Sequence, residues 1–160
     1  MSKNLVLKPL NQASNEDLVQ LLNDRRVTKH MPLAETVDSE WVEQWKNNKS
    51  KLWSSPEHGP WAVYFHSDFA GWAGLQPDGD NEVELAIVLH VWAWRLGSDI
   101  ANVVLEAWKA IEPTSQINVY FPTTRPIDLI AEKLGLEVIG KDELAGHTFV
   151  KFRLTANSRL

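Results

Sequence analysis

Residues 82–111 constrain the fold more than any other stretch of the 160-residue chain. Residues 82–90 have the composition of a β-strand, a short turn follows over 94–99, and apolar residues then recur at helical spacing from Ile100 to Ile111. When a turn leads directly into a helix, the first backbone N–H groups have no intrahelical partner, and the helix dipole favours an anion beside them. The segment therefore predicts a strand–turn–helix unit with an anion site, for which the pyrophosphate of a cofactor is a common occupant.

The composition is that of a soluble globular protein. The length suits a single domain over residues 1–160, and a formal charge of −5 disfavours nucleic acid and anionic membranes as partners. The chain has no cysteine, which excludes a thiol nucleophile, and its five histidines lack metal-ligand spacing, so we expect no metal site. We find neither a signal-peptide pattern nor an apolar run long enough to span a bilayer, and therefore expect a cytoplasmic protein.

The remaining segments alternate between strand-like and helix-like patterns. Ser14 and Asp38 have side chains that cap helix starts, and Gly135 stands where a helix would end. The predicted order is a strand over 4–10, helices from Ser14 and Asp38, a loop over 49–60, strands over 61–65, 69–75 and 82–90, a helix to 111, a strand over 116–121, a helix over 126–134, and a hairpin over 136–139 and 147–154. This order predicts an α/β domain with one mixed sheet and about four helices.

The strand over 82–90 changes character halfway along. Glu82 and Glu84 alternate with apolar residues, as on a strand with one polar face, whereas residues 85–89 are continuously apolar. Such a change suits a bulge or a splayed edge, at which backbone groups are left free for a ligand. An extended ligand that carries amides, such as a pantetheine arm, could pair with this edge as an added strand.

The sequence at 84–90, followed by Trp94-Arg95-Leu96-Gly97, resembles the acyl-CoA-binding segment of the GNAT superfamily of N-acetyltransferases. Residues 26–32 and 133–136 are similar to segments of the branch that includes the ribosomal-protein N-terminal acetyltransferases. The resemblance covers nearly the whole chain. It implies a single-domain GNAT-like fold, whose mixed, mostly antiparallel sheet contains a splayed strand pair, and it implies acetyl-CoA as cosubstrate.

Two places depart from the family's motifs. In the phosphate turn, the family has Arg or Gln where Trp94 stands and a small residue where Asp99 stands. A carboxylate at the latter position would repel a phosphate, and Arg95 could offset part of that repulsion. If the repulsion operates, the substitution Asp99→Gly should tighten CoA binding. The second departure is at Thr124, where the branch commonly has Asn.

Chemistry and the resemblance together nominate the site residues. Glu84 is the candidate general base, because an amine must lose a proton before it attacks a thioester; the alternative is a solvated strand carboxylate. Met31, Trp41 and Trp45 are the candidate acceptor-binding residues, with core or lid packing as the alternative for the two tryptophans. The implied cofactor-binding residues are Ile87, Val88, Leu89, Arg95, Leu96, Gly97, Ser98, Asp99 and Thr124.

The leading hypothesis is an acetyl-CoA-dependent N-acetyltransferase that transfers an acetyl group to a primary amine by direct attack on the thioester. The acceptor would be a protein or peptide N-terminus or a small amine, and it would enter beside the first two helices and the loops 27–33 and 49–60. The alternative is a GNAT-fold module without catalysis that senses CoA or binds a protein. The runs 69–75 and 147–154 could supply an edge or a face for a homodimer.

Overall fold

The computed structural model describes residues 4–29, 31, 36–144, 146–155 and 158–160. Within these residues, the central element is one sheet of seven strands. The strands are β1 (Leu5–Pro9), β2 (Trp61–Phe65), β3 (Asp68–Pro77), β4 (Glu82–Leu89), β5 (Gln116–Pro122), β6 (Glu137–Leu144) and β7 (His147–Arg153). The helices are α1 (Asn15–Asn23), α2 (Arg25–Thr28), α3 (Ser39–Ser50), α4 (Gly97–Ile111) and α5 (Ile127–Leu134). The predicted α/β class with about four substantial helices is confirmed.

One parallel strand pair interrupts an otherwise antiparallel sheet. The strand order is β1-β2-β3-β4-β5-β7-β6, and only β4 and β5 run parallel within the described residues. Their pairing is confined to three register pairs, from Glu82 with Gln116 to Glu84 with Asn118, after which the two strands separate. On its other side β4 stays paired with β3 as far as Leu89. The splayed strand pair predicted from the sequence is therefore confirmed, and it opens at Leu85.

The helix boundaries follow local capping chemistry. The Ser14 hydroxyl accepts a hydrogen bond from the Asp17 N–H at 3.1 Å, and the Asp38 carboxylate accepts one from the Trp41 N–H at 2.8 Å. Gly135 ends α5 in the left-handed conformation at φ 64°, which glycine adopts without steric cost. All three predicted boundary signals are confirmed.

The two faces of the sheet bury separate cores. On one face α4 packs on the sheet through Ile100, Val104 and Trp108, and these meet Leu85 and Leu89 of β4. On the opposite face α1 and α3 pack through a second cluster that contains Leu18, Leu21, Val42 and Trp72. Because side chains alternate along a strand, Glu84, Ala86 and Val88 point toward the face that carries α1 and α3.

The structure departs from the prediction in local details. The residues predicted as a turn over 94–99 belong to helices, because Val91–Leu96 forms a 3₁₀ segment and Gly97 already begins α4. The short α2 was not predicted; the Asp24 side chain caps it by accepting from the Arg26 N–H. The predicted loop over 49–60 contains the end of α3 and a 3₁₀ turn at Pro56–His58. Residues 30 and 32–33 of the predicted acceptor loop lie outside the described residues.

The strands named as candidates for a dimer edge are interior strands. β3 is hydrogen-bonded to β2 and β4, and β7 is hydrogen-bonded to β5 and β6, so neither offers a free edge. The prediction of an edge there was wrong because the final hairpin inserts β7 beside β5 and leaves β6 outermost. None of the described helices has the length and apolar character that a membrane span requires.

Candidate functional site

The separation of β4 from β5 opens a cleft of about 700 Å³. This cleft is the candidate functional site. Residues of β4, β5, α2, α4 and the segments around them form its walls. The lining residues are Arg26, Val27, Lys29, Met31, Leu85, Ile87, Val88, Leu89, Trp94, Gly97, Ser98, Ala101, Val119, Tyr120, Phe121, Pro122, Arg125, Leu134 and Leu160. The lining of the cleft is thus mostly apolar, with a few cationic residues.

The β4 wall exposes backbone groups toward the cleft. Beyond Glu84 this strand is paired only with β3 among the described residues, so alternate N–H and C=O groups of 85–89 face the space left by β5. At the far end the Trp94 indole N–H donates to the Leu89 carbonyl at 3.1 Å and so satisfies one of these groups. The wall can pair with an extended ligand that carries amides.

The start of α4 forms one end of the cleft. Gly97, Ser98 and Ala101 line it, and no side chain caps the helix start at Leu96. A Cβ atom placed on Gly97 would have no neighbour within 4 Å, so the backbone there adjoins open space. The Gly97 N–H donates to the Trp94 carbonyl of the preceding 3₁₀ segment, but the dipole of the 15-residue α4 still favours an anion at this end.

The charged side chains that line the cleft are of one sign. Among the described residues they are Arg26, Lys29 and Arg125, with no Asp or Glu, although the chain carries a formal charge of −5. Arg26 is already paired with Asp24 at 2.7 Å, outside the lining. Asp99 lies in the first turn of α4 but is not among the lining residues. The Arg95 guanidinium lies 5.8 Å from the Phe65 ring centroid, and Arg95 is not among the lining residues. The cleft is electrostatically suited to a polyanion.

The structure brings some of the predicted cofactor-binding residues together and separates others. Ile87, Val88, Leu89, Gly97 and Ser98 all line the cleft. Among the described residues Arg95, Leu96, Asp99 and Thr124 do not; Leu96 is buried in the core beneath α4, and Thr124 is exposed on the surface. Met31, predicted to bind the acceptor, lines this same cleft.

Glu84 lies at the base of the splay, on the face opposite α4. It is half-buried and is the register partner of Gln76 in β3 and of Asn118 in β5. Burial and the nearby Asp78 carboxylate raise the pKa of Glu84 above its ordinary value, and Lys49 counteracts part of this rise. A carboxyl group with a raised pKa accepts a proton more readily, which suits a general base.

A polar network beside Glu84 fastens β4 to β5 and β7. The Asn118 side chain is fully buried, and its amide N–H groups donate to Asp78 and Glu82, each at 2.9 Å. Glu82 also pairs with Arg153, and the hydrogen bond from Asn118 is the main cause that lowers the pKa of Glu82. Glu82 therefore remains an ion-paired anion, which leaves Glu84 as the better proton acceptor.

Tyr120 connects this network to the cleft. Its ring lines the cleft, and its hydroxyl donates to the Asp78 carboxylate at 2.8 Å. Burial, followed by this hydrogen bond, raises the pKa of Tyr120 well above its ordinary value, so the hydroxyl stays protonated at neutral pH. The sequence analysis did not identify Asn118 or Tyr120 as site residues. Their alternation along 116–121 was a usable signal, because it places both on the face of Glu84.

An aromatic stripe on α3 covers the same face. Trp41 and Trp45 stack with ring centroids 6.3 Å apart, and Trp45 meets Trp72 edge-on at 5.5 Å. The stripe continues to Lys49, whose ammonium group lies 5.2 Å from the centroid of the Trp72 ring. Trp45 thus packs on the core beneath α1 and α3, Trp41 is exposed, and neither lines the cleft among the described residues. Lys49 was not predicted from the sequence.

A cleft between splayed strands, with an anion-favouring helix start at one end and a carboxylate at the point of separation, is the arrangement expected of an acyl-CoA-dependent acyltransferase. The sequence model of the acetyltransferase (GNAT) domain matches residues 4–137, so the chain belongs to the GNAT acetyltransferase family. The resemblance described from the sequence is confirmed. This membership indicates acyltransferase activity with acetyl-CoA as the acyl donor. No curated protein matches the chain significantly.

Solved structures of GNAT enzymes share the fold at low sequence identity. Spermidine N-acetyltransferase from Vibrio cholerae, in complex with CoA and spermine, is 13% identical, covers 96% of each chain and has a TM-score of 0.75. A GNAT-family acetyltransferase from Bacillus anthracis is 13% identical, covers 96% of each chain and has a TM-score of 0.74. The enzyme from Salmonella typhimurium that modifies the N-terminal serine of ribosomal protein L7/L12 is 12% identical, covers 96% of this chain and 95% of its own, and has a TM-score of 0.71.

Proposed function

We propose that the protein is an acetyl-CoA-dependent N-acetyltransferase that acts in the cytoplasm on a primary amine. The observation that carries the proposal is the cleft between β4 and β5, whose charged lining residues are all cations among the described residues and which has the uncapped start of α4 at one end. The open backbone of β4 fits the amides of a pantetheine arm, and the start of α4 fits a pyrophosphate.

The residues fit the parts of CoA in order along the cleft. Ile87, Val88 and Leu89 would hold the pantetheine arm by backbone hydrogen bonds and apolar contact. Gly97 and Ser98 would adjoin the pyrophosphate at the start of α4: the backbone at Gly97 borders open space, although its own N–H donates to the Trp94 carbonyl, so the helix dipole and the Ser98 side of the first turn would supply the attraction. The Arg125 side chain would add a positive charge beside the phosphates.

Glu84 would serve as the general base of the transfer. An acceptor ammonium loses one proton to the Glu84 carboxylate, directly or through a water molecule, and its nitrogen lone pair then attacks the thioester carbonyl carbon. The new C–N bond forms as the C–S bond breaks, CoA leaves as a thiolate, and the second proton that the acylated nitrogen loses passes to this thiolate or to solvent. A thiol with a pKa of about 8.5 makes a good leaving group, so no strong acid is needed to assist its departure.

Calorimetric titration with acetyl-CoA is the first test, with desulfo-CoA as a non-reacting comparison. We expect micromolar binding that weakens as salt is raised, because the cleft's cations face the phosphates. Arg125→Gln should weaken binding several-fold, whereas Arg25→Gln, an exposed residue that does not line the cleft, should leave it unchanged. Absence of binding at millimolar acetyl-CoA would overturn the proposal.

Turnover is the second test, measured as thiol release with N-terminal peptides, amino acids and polyamines as acceptors. Glu84 does not line the cleft among the described residues, which is the observation that keeps a non-catalytic alternative open. If acetyl-CoA binds tightly and no acceptor in the panel is acetylated, the alternative of a CoA-sensing or protein-binding module is favoured. Relatives named for spermidine and for a ribosomal-protein N-terminus make both acceptor types the first to include.

A further inference from the structure

Lys49 is held in a fixed position on the face of the sheet that carries α1 and α3. It lies four residues after Trp45 and eight after Trp41, so the three side chains follow one side of α3. Its ammonium group donates a hydrogen bond to the Gln76 side-chain carbonyl and lies 5.2 Å from the Trp72 ring centroid. A lysine on a protein surface samples many rotamers, whereas these two contacts fix where the charge of Lys49 lies.

The ammonium group of Lys49 still has hydrogen-bonding capacity. It carries three N–H donors, and among the described residues Gln76 is the one side chain that accepts from it. The group is half-buried, and burial lowers the pKa of Lys49 because it removes water from the charge. A partly dehydrated cation with unused donors favours an anionic ligand.

Glu84 is the opposite charge on the same face. Gln76 and Glu84 are directly paired across β3 and β4, so their Cβ atoms are roughly 5 Å apart and both side chains are on the face that carries α1 and α3. Lys49 and Glu84 interact electrostatically, yet no ion pair joins them among the described residues. The Lys49 ammonium and the Glu84 carboxylate thus lie near each other without forming an ion pair.

We propose that Lys49 and Glu84 together select an acceptor that carries a carboxylate within a few bonds of its reacting amine. This inference rests on the proposed function and names its substrate class. The acceptor's amine would approach Glu84, which takes its proton, and its carboxylate would bind the unused N–H donors of Lys49. A free α-amino acid has this chemistry, and so does a peptide that begins with Asp or Glu.

The same geometry disfavours polyamines. A polyamine presents a second ammonium group where a carboxylate would otherwise meet Lys49, and two like charges at that separation repel each other. Lys49 is therefore a specificity-determining residue of the acceptor site.

The experiment compares ligands that differ only in the carboxylate. N-acetylglycine and N-acetylglycinamide are titrated calorimetrically into the protein saturated with CoA, and glycine and glycinamide are compared as acceptors in the thiol-release assay. We expect the carboxylate to improve the affinity of the product, and to lower the KM of the acceptor, by about tenfold. Dipeptide amides that begin with Asp or Ala then distinguish an acidic N-terminus from a free amino acid.

Variants of Lys49 connect the preference to this residue. Lys49→Met keeps the apolar stem against Trp72 and should remove the tenfold preference mainly through KM, while Lys49→Arg should restore part of it. Lys49→Gln serves as a second neutral variant if Lys49→Met folds poorly. Lys51→Met is the matched control, because Lys51 is exposed at the end of the same helix and should leave the preference intact.

The possible failures are distinguishable. Absence of acetyl-CoA binding would defeat the proposed function itself. Binding of acetyl-CoA with equal affinity for N-acetylglycine and its amide, or no affinity for either, would overturn the inference about Lys49 and leave the proposed function standing. A preference that persists unchanged in both Lys49→Met and Lys49→Gln would also overturn it, as would more efficient acetylation of spermidine than of every aminocarboxylate.

Discussion

Glu84 and Asn118 form the last register pair of the parallel ladder between β4 and β5. The buried Asn118 amide donates to Asp78 and to Glu82, the latter lying two residues before Glu84 in β4. Asp78 and Glu82 are thereby committed to hydrogen bonds, and Lys151 lies 3.8 and 3.7 Å from their respective carboxylate oxygens. The remaining carboxylate, Glu84, lies where the strands separate, and for this reason we propose it as the proton acceptor.

Replacement of the proposed base should affect turnover and leave cofactor binding intact. We expect Glu84→Gln to lower kcat on the order of 100-fold, because positioned general bases contribute that much or more. The Kd of acetyl-CoA should stay within about twofold, since the electrostatic effect of a group outside the cleft is small. Glu106→Gln, on the exposed side of α4, is the control and should change neither quantity. Equal kcat values for Glu84→Gln and the unmodified protein would remove Glu84 from the mechanism.

The same substitution should change stability with pH in a defined direction. The pKa of Glu84 is raised by folding, above its ordinary value of 4.5. The folded state therefore favours the protonated form, and the stability that this form contributes is lost as the pH rises through the folded pKa. We expect Glu84→Gln to unfold at a higher urea concentration than the unmodified protein at pH 7, and the difference to shrink toward pH 4. A difference that grows on acidification would contradict the raised pKa.

Removal of the Asn118 side chain should destabilise the junction of the strands. Asn118→Ala deletes hydrogen bonds to Asp78 and Glu82 and the one that Arg153 donates to Asn118, in a site without access to water. We expect a loss of about 3 kcal/mol in the free energy of unfolding, measured by urea denaturation. Asn47→Ala on the exposed side of α3 should change it by less than about 0.5 kcal/mol. A loss below about 1 kcal/mol for Asn118→Ala would show that the network contributes little.

Carboxylates at the start of α4 should act according to where they point. Ser98 lines the cleft, so Ser98→Asp should weaken acetyl-CoA binding at least about tenfold, while the isosteric Ser98→Asn should weaken it far less. Asp99 does not line the cleft among the described residues, so Asp99→Asn should change the Kd by less than about threefold at moderate salt. Calorimetric titration of the three variants with acetyl-CoA measures these changes in Kd. A large gain in affinity for Asp99→Asn would support the repulsion expected from the sequence.

Gly71 should be intolerant of a side chain because β4 runs against it. Its φ is 149°, and a Cβ atom there would lie 2.1 Å from the Val88 carbonyl oxygen. Gly71→Ala should cost about 2 kcal/mol or more in unfolding free energy and weaken acetyl-CoA binding, since it displaces the wall at Val88 and Leu89. Gly140→Ala, which meets no atom within 4 Å, is the control and should fold with near-normal stability. Normal acetyl-CoA binding by Gly71→Ala would show that the wall can move without loss.

The sequence predicted the parts of the fold that depend on neighbouring residues. Caps at Ser14 and Asp38 and the helix end at Gly135 were predictable because each reflects the hydrogen bonds or φ angle of one turn. The change from alternating to continuous apolar character at Leu85 coincides with the point where the sheet opens. Residues 85–89 are apolar on both faces because one face meets α4 and the other meets the cluster under α1 and α3.

The polar contacts around Glu84 could not be predicted from the sequence. Lys49 and Gln76 are 27 positions apart, and Glu82 and Arg153 are 71 apart, so each contact depends on how distant elements pack. The insertion of β7 between β5 and β6 pairs Arg153 with Asn118 and so brings it to Glu82, and no local pattern encodes that strand order. A lysine near the end of an amphipathic helix gives no sign that it bends inward over a tryptophan.

The C-terminal elements form a unit that is only weakly anchored to the rest of the sheet. β6, β7 and α5 share a small core of Leu136, Val150 and Phe152, whereas Ile117 and Val119 of β5 belong to the α4 core, and β6 is exposed along nearly its whole length. We expect backbone amides of this C-terminal unit to exchange with solvent through partial openings that leave β1 to β5 folded. A ligand in the cleft contacts this unit and the rest of the sheet, so its binding energy adds to their mutual affinity. The acyl donor would then act as a removable strand of the sheet, and the supply of donor would set how often the C-terminal unit opens.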